Sequence, residues 1–198
     1  VVSIPVMKTH MHTGVSLGTK NMKGCLWRRS KVDLHMLPPL PGSEEKTLNL
    51  AIADMAEVLH PQITLVDGTV GMEGLGPSAG DPKPLGVVLA GTDVLATDAV
   101  ACRLMGFSPA EIPELRLAAA RGIGTIDLSA IRVDPAGWEA LARPFARTPE
   151  NLAIEFPGVR ILDENSCSAC QSTLLLFLRR YGDRLGEYFP GRREVCVA

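Results

Sequence analysis

The chain has 198 residues, of which 46% are hydrophobic and 21% charged, with a formal net charge of -2; this is an ordinary globular composition, long enough to bury one core. A charge so close to zero excludes a dedicated nucleic-acid binder, whose domain carries a strong basic excess, and no apolar run approaches the roughly 18 residues that span a bilayer. With no signal-peptide succession at its start and an odd count of five cysteines, the chain reads as cytoplasmic, carrying thiols or metal ligands rather than a disulfide framework, and with neither nucleic acid nor membrane as a partner.

Residues 1–7 are rich in β-branched side chains and predict a short buried strand that delivers Lys8 and His10 to its carboxyl end. The chain opens in this strand without a methionine and stops in the apolar run VCVA, so it is expected to be a fragment of a longer chain. The stretch PVMKTHMHTGVSLGTKNMKG, residues 5–24, crowds Lys8, His10, His12, Lys20, Asn21 and Lys23, and residues 1–32 contain no aspartate or glutamate. His10 and His12 face the same way if extended, and Lys20 and Lys23 share one face of a helix. Such a cluster suits a phosphate or carboxylate; the ordinary alternative is a solvated basic surface.

LPPLPGS prohibits helix and ladder alike, after which Ser43 is expected to cap a helix whose Leu48, Ile52, Met55 and Leu59 lie on one face and which ends at His60-Pro61. Residues 63–66 and 86–90 predict two buried strands, ending on Asp67 and Asp93. Between them DGTVGMEGLGPSAGDPKPLG is expected to be a long functional loop, in which Gly74 and Gly76 allow close approach to a ligand and Glu73 serves as a base or metal ligand. Its G-x-G-x-x-x-G fits neither a Walker nor a Rossmann fingerprint. Helices follow at 94–104 and 114–121, the second capped by Gly122, with weaker strands at 131–133 and 159–162.

Asp98 sits in an otherwise apolar helix, where a carboxylate needs a partner; Lys8, Lys20 or Lys23 are expected to pair with it. Asp93 is either a helix cap or a ligand-binding residue. Cys167-Ser-Ala-Cys170 opens the apolar helix TLLLFLRRY, where helix dipole and free N–H groups favour thiolate, hence metal or redox chemistry. Cys196, in a final strand, is placed to add a third thiolate if that strand returns beside the helix, with Cys25 or a residue past Ala198 as the fourth. A thioredoxin-like dithiol is the weaker use of this motif, since no small βαβ context is evident around it. Zinc competes with an iron–sulfur cluster. Cys102 reads as core, and Arg179, Arg180, Arg184, Arg192 and Arg193 as a solvated face.

Strands alternating with helices predict an α/β fold over 1–198, a mainly parallel sheet with helices on both faces and the site at the strand carboxyl ends. Residues 163–198 form a CxxC helix segment packing on it.

Three blocks, PVMKTHMHTGVSLGTKNMKG, LVDGTVGMEGLGPSAGDP and GTDVLATDAVACRLMG, together resemble the family called domain of unknown function 362, over about the first two-thirds of the chain. The resemblance marks Lys8, His10, Lys20, Asn21, Lys23, Asp67, Glu73, Gly74, Gly76, Pro77, Asp93 and Asp98, but not His12. It implies an iron–sulfur association without naming a reaction, although the four-cysteine ferredoxin run with its trailing proline is absent here.

The leading expectation is therefore a redox-linked iron–sulfur enzyme, served by a ferredoxin-type redox partner. A small anionic ligand is held by Lys8, His10, Lys20 and Lys23, with Asn21, Gly74, Gly76 and Asp93 around it. Asp67, Glu73 and Asp98 supply acid–base or metal-ligand chemistry, and Cys167, Cys170 and Cys196 hold the cluster. The rivals are a non-catalytic electron-transfer module and a hydrolase or lyase using magnesium, manganese or zinc on His10, Asp67 and Glu73.

Overall fold

The computed structural model describes residues 1–148, 158–162, 168–191 and 195–197. The first strand is broken in two at Ile4-Pro5, giving β1 (Val2–Ser3) and β2 (Val6–His10). β2 reaches three residues further than expected, so Lys8 lies within it and His10 is its last residue. β3 (Gly14–Ser16) folds back antiparallel on β2. Lys20 and Lys23 lie in consecutive helical turns, α1 (Gly18–Asn21) and a 3₁₀ turn over Met22–Cys25, and a short α2 (Ser30–Asp33) follows.

α3 (Thr47–Leu59) starts later than Ser43, which does not cap it. The Ser43 hydroxyl instead accepts from the Glu45 N–H in a local turn at 3.2 Å. The helix ends as expected at His60, whose φ of 39° places it in the left-handed region.

The largest difference from expectation is the long loop, which is mostly sheet. β4 (Ile63–Glu73) runs through Asp67-Gly68 and pairs antiparallel with β5 (Asp81–Gly91), leaving only residues 74–80 as turn. The glycines and prolines that read as loop are accommodated by two devices. The ladder shifts register between Gly68 and Val70, and among the described residues β5 pairs only with β4, so its Pro82 and Pro84 meet the edge-strand tolerance for a missing N–H. Gly76 is required for another reason: a Cβ there would lie 2.0 Å from the Thr9 carbonyl oxygen.

β4 pairs in parallel with both β1 and β2. Three of the five strand pairings among the described residues are parallel, although the longest ladder is the antiparallel hairpin. The fold is thus mixed α/β.

α4 (Val94–Leu104) packs on β4 and β5. Its Ala101, Cys102 and Leu104 join Met7, Val15, Leu17 and Val66 in the main core, each large, fully buried side chain contributing roughly 1.5–3 kcal/mol. α5 (Pro113–Ala120) packs on α3 and α4, and Gly122 follows with φ +75°. On the opposite pleat of the sheet Val2 is 53% and Val88 62% exposed, so the expected second helical layer is not found there among the described residues. The strand expected at 131–133 does not form, because a 3₁₀ turn over Leu128–Ala130 precedes it and Pro135 follows.

In the C-terminal part, β6 (Val159–Ile161), α6 (Ser168–Tyr181), α7 (Leu185–Tyr188) and β7 (Val195–Val197) follow, with β6 and β7 parallel. This is a small βαβ unit around the helix that carries Cys170, a context the sequence did not reveal. Leu175 packs on Leu75 and Ala79. Arg179 is exposed, as expected of that helix face, and also pairs with Asp81 at 2.7 Å and donates to the Ala79 carbonyl.

Candidate functional site

The carboxyl end of β2 gathers three histidines. The His10 ring stacks on His35 (14° between planes, centroids 6.4 Å apart), and His12 lies 5.9 Å from His10 and 6.0 Å from His35. His10 is buried, and its Nδ1 accepts the His12 backbone N–H at 3.1 Å, so the proton of the neutral ring sits on Nε2 as a donor. Burial, then Lys20, His12, His35 and Lys23, drive the His10 pKa far below the ordinary histidine value. His35 is pushed down to about 4, first by burial and then by Lys23, Lys20 and His12. Lys23 Nζ contacts His35 Nε2; an ammonium only donates, so that ring nitrogen accepts.

Lys20 lies beneath this cluster, 6% exposed. Its Nζ donates to Thr13 Oγ1 at 2.8 Å, and that hydroxyl in turn donates to the Val15 carbonyl. Thr13 is its one hydrogen-bond acceptor among the described residues, although an ammonium has three N–H donors. Burial lowers the Lys20 pKa well below its usual range; Glu114 opposes this, while Lys23 and Lys8 add to it. Glu114, at the start of α5, is 1% exposed, and its Oε2 has no hydrogen-bond partner. Its carboxyl is raised to about 8 by burial, against the pull of Lys20, so it is predominantly protonated at neutral pH. The histidine–lysine pocket is thus a basic, imidazole-rich set of side chains gathered at one strand end, with a protonated acid behind it, a chemistry suited to holding an anion and supplying a proton.

Of the residues singled out from sequence, Lys8, His10, Lys20 and Lys23 are therefore brought together. The carboxylates are not. Asp98 is fully buried but does not pair with a lysine; it accepts the Gly18 and Thr19 backbone N–H groups at 2.8 and 2.7 Å, closing the start of α1. Gly18 is needed for this approach, since a Cβ would lie 2.8 Å from Asp98 Oδ1. Burial raises the Asp98 carboxyl to about 6, opposed by its bonds to Thr19 and Gly18. Asp93 caps α4, accepting from Leu95 and Ala96 N–H at 2.8 and 3.0 Å and, more weakly, from Thr125.

Asp67 accepts from the backbone and hydroxyl of Thr69 at the register shift, and these bonds lower its pKa. It pairs with Val6, four residues before His10. Glu73 bonds Lys83 at 3.1 Å and the Ala146 N–H at 2.8 Å, fixing the segment before residue 149 to the hairpin. The Gly74 carbonyl accepts from Thr9 and Thr148 hydroxyls, and Asn21 donates to Ser3 Oγ at 3.2 Å.

Cys170 lies exposed on α6 and Cys196 in β7; Cys167 lies outside the described residues. Cys102 is buried in the core, as expected. No group of three or more His, Cys, Asp or Glu among the described residues is placed to hold a metal ion.

Sequence reasoning missed His35 and Glu114. His35 sits in a 3₁₀ turn over Leu34–Met36, where no periodicity signals its orientation. Glu114 left one trace, an acid whose neighbours Leu115 and Ala118 mark the buried side of α5, but an acid in a first helical turn reads by default as a dipole partner.

Residues 1–103, just over half of the chain, match the family described as Domain of unknown function (DUF362). The chain belongs to that family. A DUF362 match of this extent covers β1 to α4 and includes every pocket residue except Glu114. The chain is also 30% identical over 115 residues to the thylakoid-associated protein sll1697 of Synechocystis sp.. That alignment takes in 58% of this chain but 35% of the relative, so the DUF362 chain spans about a third of the curated protein it matches. No solved structure matches it. No helix among the described residues is long and apolar enough to cross a membrane.

Proposed function

We propose that this DUF362 chain is a cytoplasmic, redox-linked enzyme whose small anionic ligand binds in the pocket of Lys8, His10, His12, Lys20, Lys23 and His35, at the carboxyl end of β2. The observation that carries the reading is Lys20, a buried amine with a single hydrogen-bond partner among the described residues, its charged form disfavoured by burial and neighbouring cations and set among histidines whose charge is likewise suppressed. Bringing cations together under cover costs folding energy that a structural role does not recover, whereas an anion supplies the missing acceptor and relieves the repulsion. The protonated Glu114 is the group poised for proton transfer, while the Nε2–H of His10 offers a neutral hydrogen-bond donor. The test is thermal unfolding in rising phosphate and acetate against chloride at matched ionic strength. A specific rise in midpoint, lost in Lys8→Gln, supports the reading; a rise indifferent to the anion sinks it.

The redox part of the proposal rests on Cys167, Cys170 and Cys196. These thiolates suit a soft metal and would hold an iron–sulfur cluster, with zinc as the competitor, and a ferredoxin-type partner would exchange its electrons. One observation favours a second use of the same residues: β6 and β7 pair in parallel on either side of α6, and Cys170 lies in the first turn of that helix, the setting of a dithiol redox pair. Iron, zinc and acid-labile sulfide analysis of anaerobically purified protein separates them. Iron and sulfide lost in Cys170→Ala support the cluster; metal-free protein with two reductant-released thiols supports the dithiol. The magnesium-, manganese- or zinc-dependent hydrolase or lyase is the less favoured reading, because Asp67 is engaged by Thr69 and Glu73 by Lys83 and the Ala146 N–H.

A further inference from the structure

We infer that the ligand of the histidine–lysine pocket is a phosphoryl dianion, a small soluble phosphomonoester or inorganic phosphate, rather than a carboxylate. This rests on the anion-pocket reading above and names its ligand class.

Three features of the pocket carry the choice. The first is the kind of cation. A planar carboxylate is matched by the planar fork of arginine, but the basic residues here are three lysines, on β2, α1 and the following 3₁₀ turn, and residues 1–27 contain no arginine. Lysines are point charges approaching from separate directions, which suits an oxyanion whose oxygens also point several ways.

The second is the amount of charge. Lys8 and Lys23 both oppose the charged form of Lys20, and Lys20 and Lys23 both oppose that of His10. A single negative charge leaves such a set net repulsive; a dianion brings it closer to balance. The groups facing Lys20 from the neighbouring elements are Lys8 on β2, Thr13 before β3, Lys23 after α1, and Glu114 on α5. Of these only Glu114 is acidic, and its protonation leaves the negative charge to be supplied by the ligand.

The third is the neutral donor. His10 presents Nε2–H, with its other nitrogen already engaged by the His12 N–H, which gives the dianion a hydrogen bond without adding another positive charge.

The experiment is titration calorimetry of the chain at pH 8, above the second ionisation of a phosphomonoester at about 6, with inorganic phosphate, glycerol 3-phosphate and acetate. Flotation with neutral vesicles, with and without phosphatidic acid, tests a lipid source. The expected result is phosphate or glycerol phosphate binding about tenfold or more tighter than acetate, weakened at least about tenfold in Lys8→Gln and His35→Ala. Lys20→Met is the sharper variant where it folds, and the two half-buried positions keep the test open where it does not. Recruitment to phosphatidic acid vesicles without glycerol phosphate binding supports the phosphoryl class from a lipid source. Acetate binding as tightly as phosphate overturns the ligand class and leaves the anion pocket standing. No binding of any anion overturns both, as does phosphate binding that survives both substitutions.

Discussion

The cationic pocket and the β4–β5 hairpin with its neighbouring helix starts treat their polar residues in opposite ways. In the pocket, Lys8, His10, Lys20 and Lys23 converge from three elements, and Lys20 is left with one acceptor among the described residues. Around the hairpin, Asp67, Glu73, Asp93 and Asp98 are each engaged by backbone N–H groups close by. Both sets belong to one sequence pattern, so membership of the pattern does not separate chemistry from architecture. Hydrogen-bond satisfaction does: a carboxylate holding two amides is maintaining a fold, while a buried lysine short of acceptors is prepared for something that arrives later.

Asp98 is the architectural carboxylate whose loss costs most. Replacing it by Ala leaves the Gly18 and Thr19 amides buried without an acceptor, and about 3 kcal/mol of stability is expected to be lost, measured by urea unfolding. Gly76→Ala forces a methyl onto the Thr9 carbonyl and is expected to cost about 1–3 kcal/mol, with β2 and the 74–80 turn pushed apart.

Much of this architecture was legible beforehand. The residues of α4 and the Asp93 cap follow from an apolar run behind an aspartate, because both are local effects. The hairpin was not legible, since edge prolines and a register shift mimic loop composition, and what makes them tolerable is the pairing of Pro82 with Met72 and of Pro84 with Val70 across the hairpin. The pocket was half legible: a sequence free of acids over residues 1–32 announces a cationic cluster, but His35 and Glu114 arrive through tertiary packing alone. Asp98 was correctly read as needing a partner. Its partner was missed because backbone amides carry no sequence signature.

On the pocket side, pH sharpens the contrast. Glu114 has its folded pKa raised from 4.5 to about 8, so the folded state keeps a proton that the unfolded state has lost. The stability this gives is fully present below about 4.5 and is lost as pH rises through about 8, with a slope of up to about 1.4 kcal/mol per pH unit in between. Glu114→Gln is expected to flatten that window in chemical denaturation series. An unchanged slope would mean that Glu114 is already ionised at neutral pH. Smaller effects belong to the architectural side. Asp93→Ala removes a helix cap and is expected to cost about 1 kcal/mol, and Glu73→Gln weakens a partly exposed ion pair with Lys83 for less than about 1 kcal/mol, both read from thermal unfolding.

The division itself is tested most directly by measuring inorganic phosphate affinity by titration calorimetry for the unmodified chain, Lys8→Gln and Glu73→Gln. Lys8→Gln is expected to weaken binding about tenfold, with Glu73→Gln binding as the unmodified chain does. Loss of binding in Glu73→Gln with Lys8→Gln unaffected would place the site at the hairpin and contradict the account.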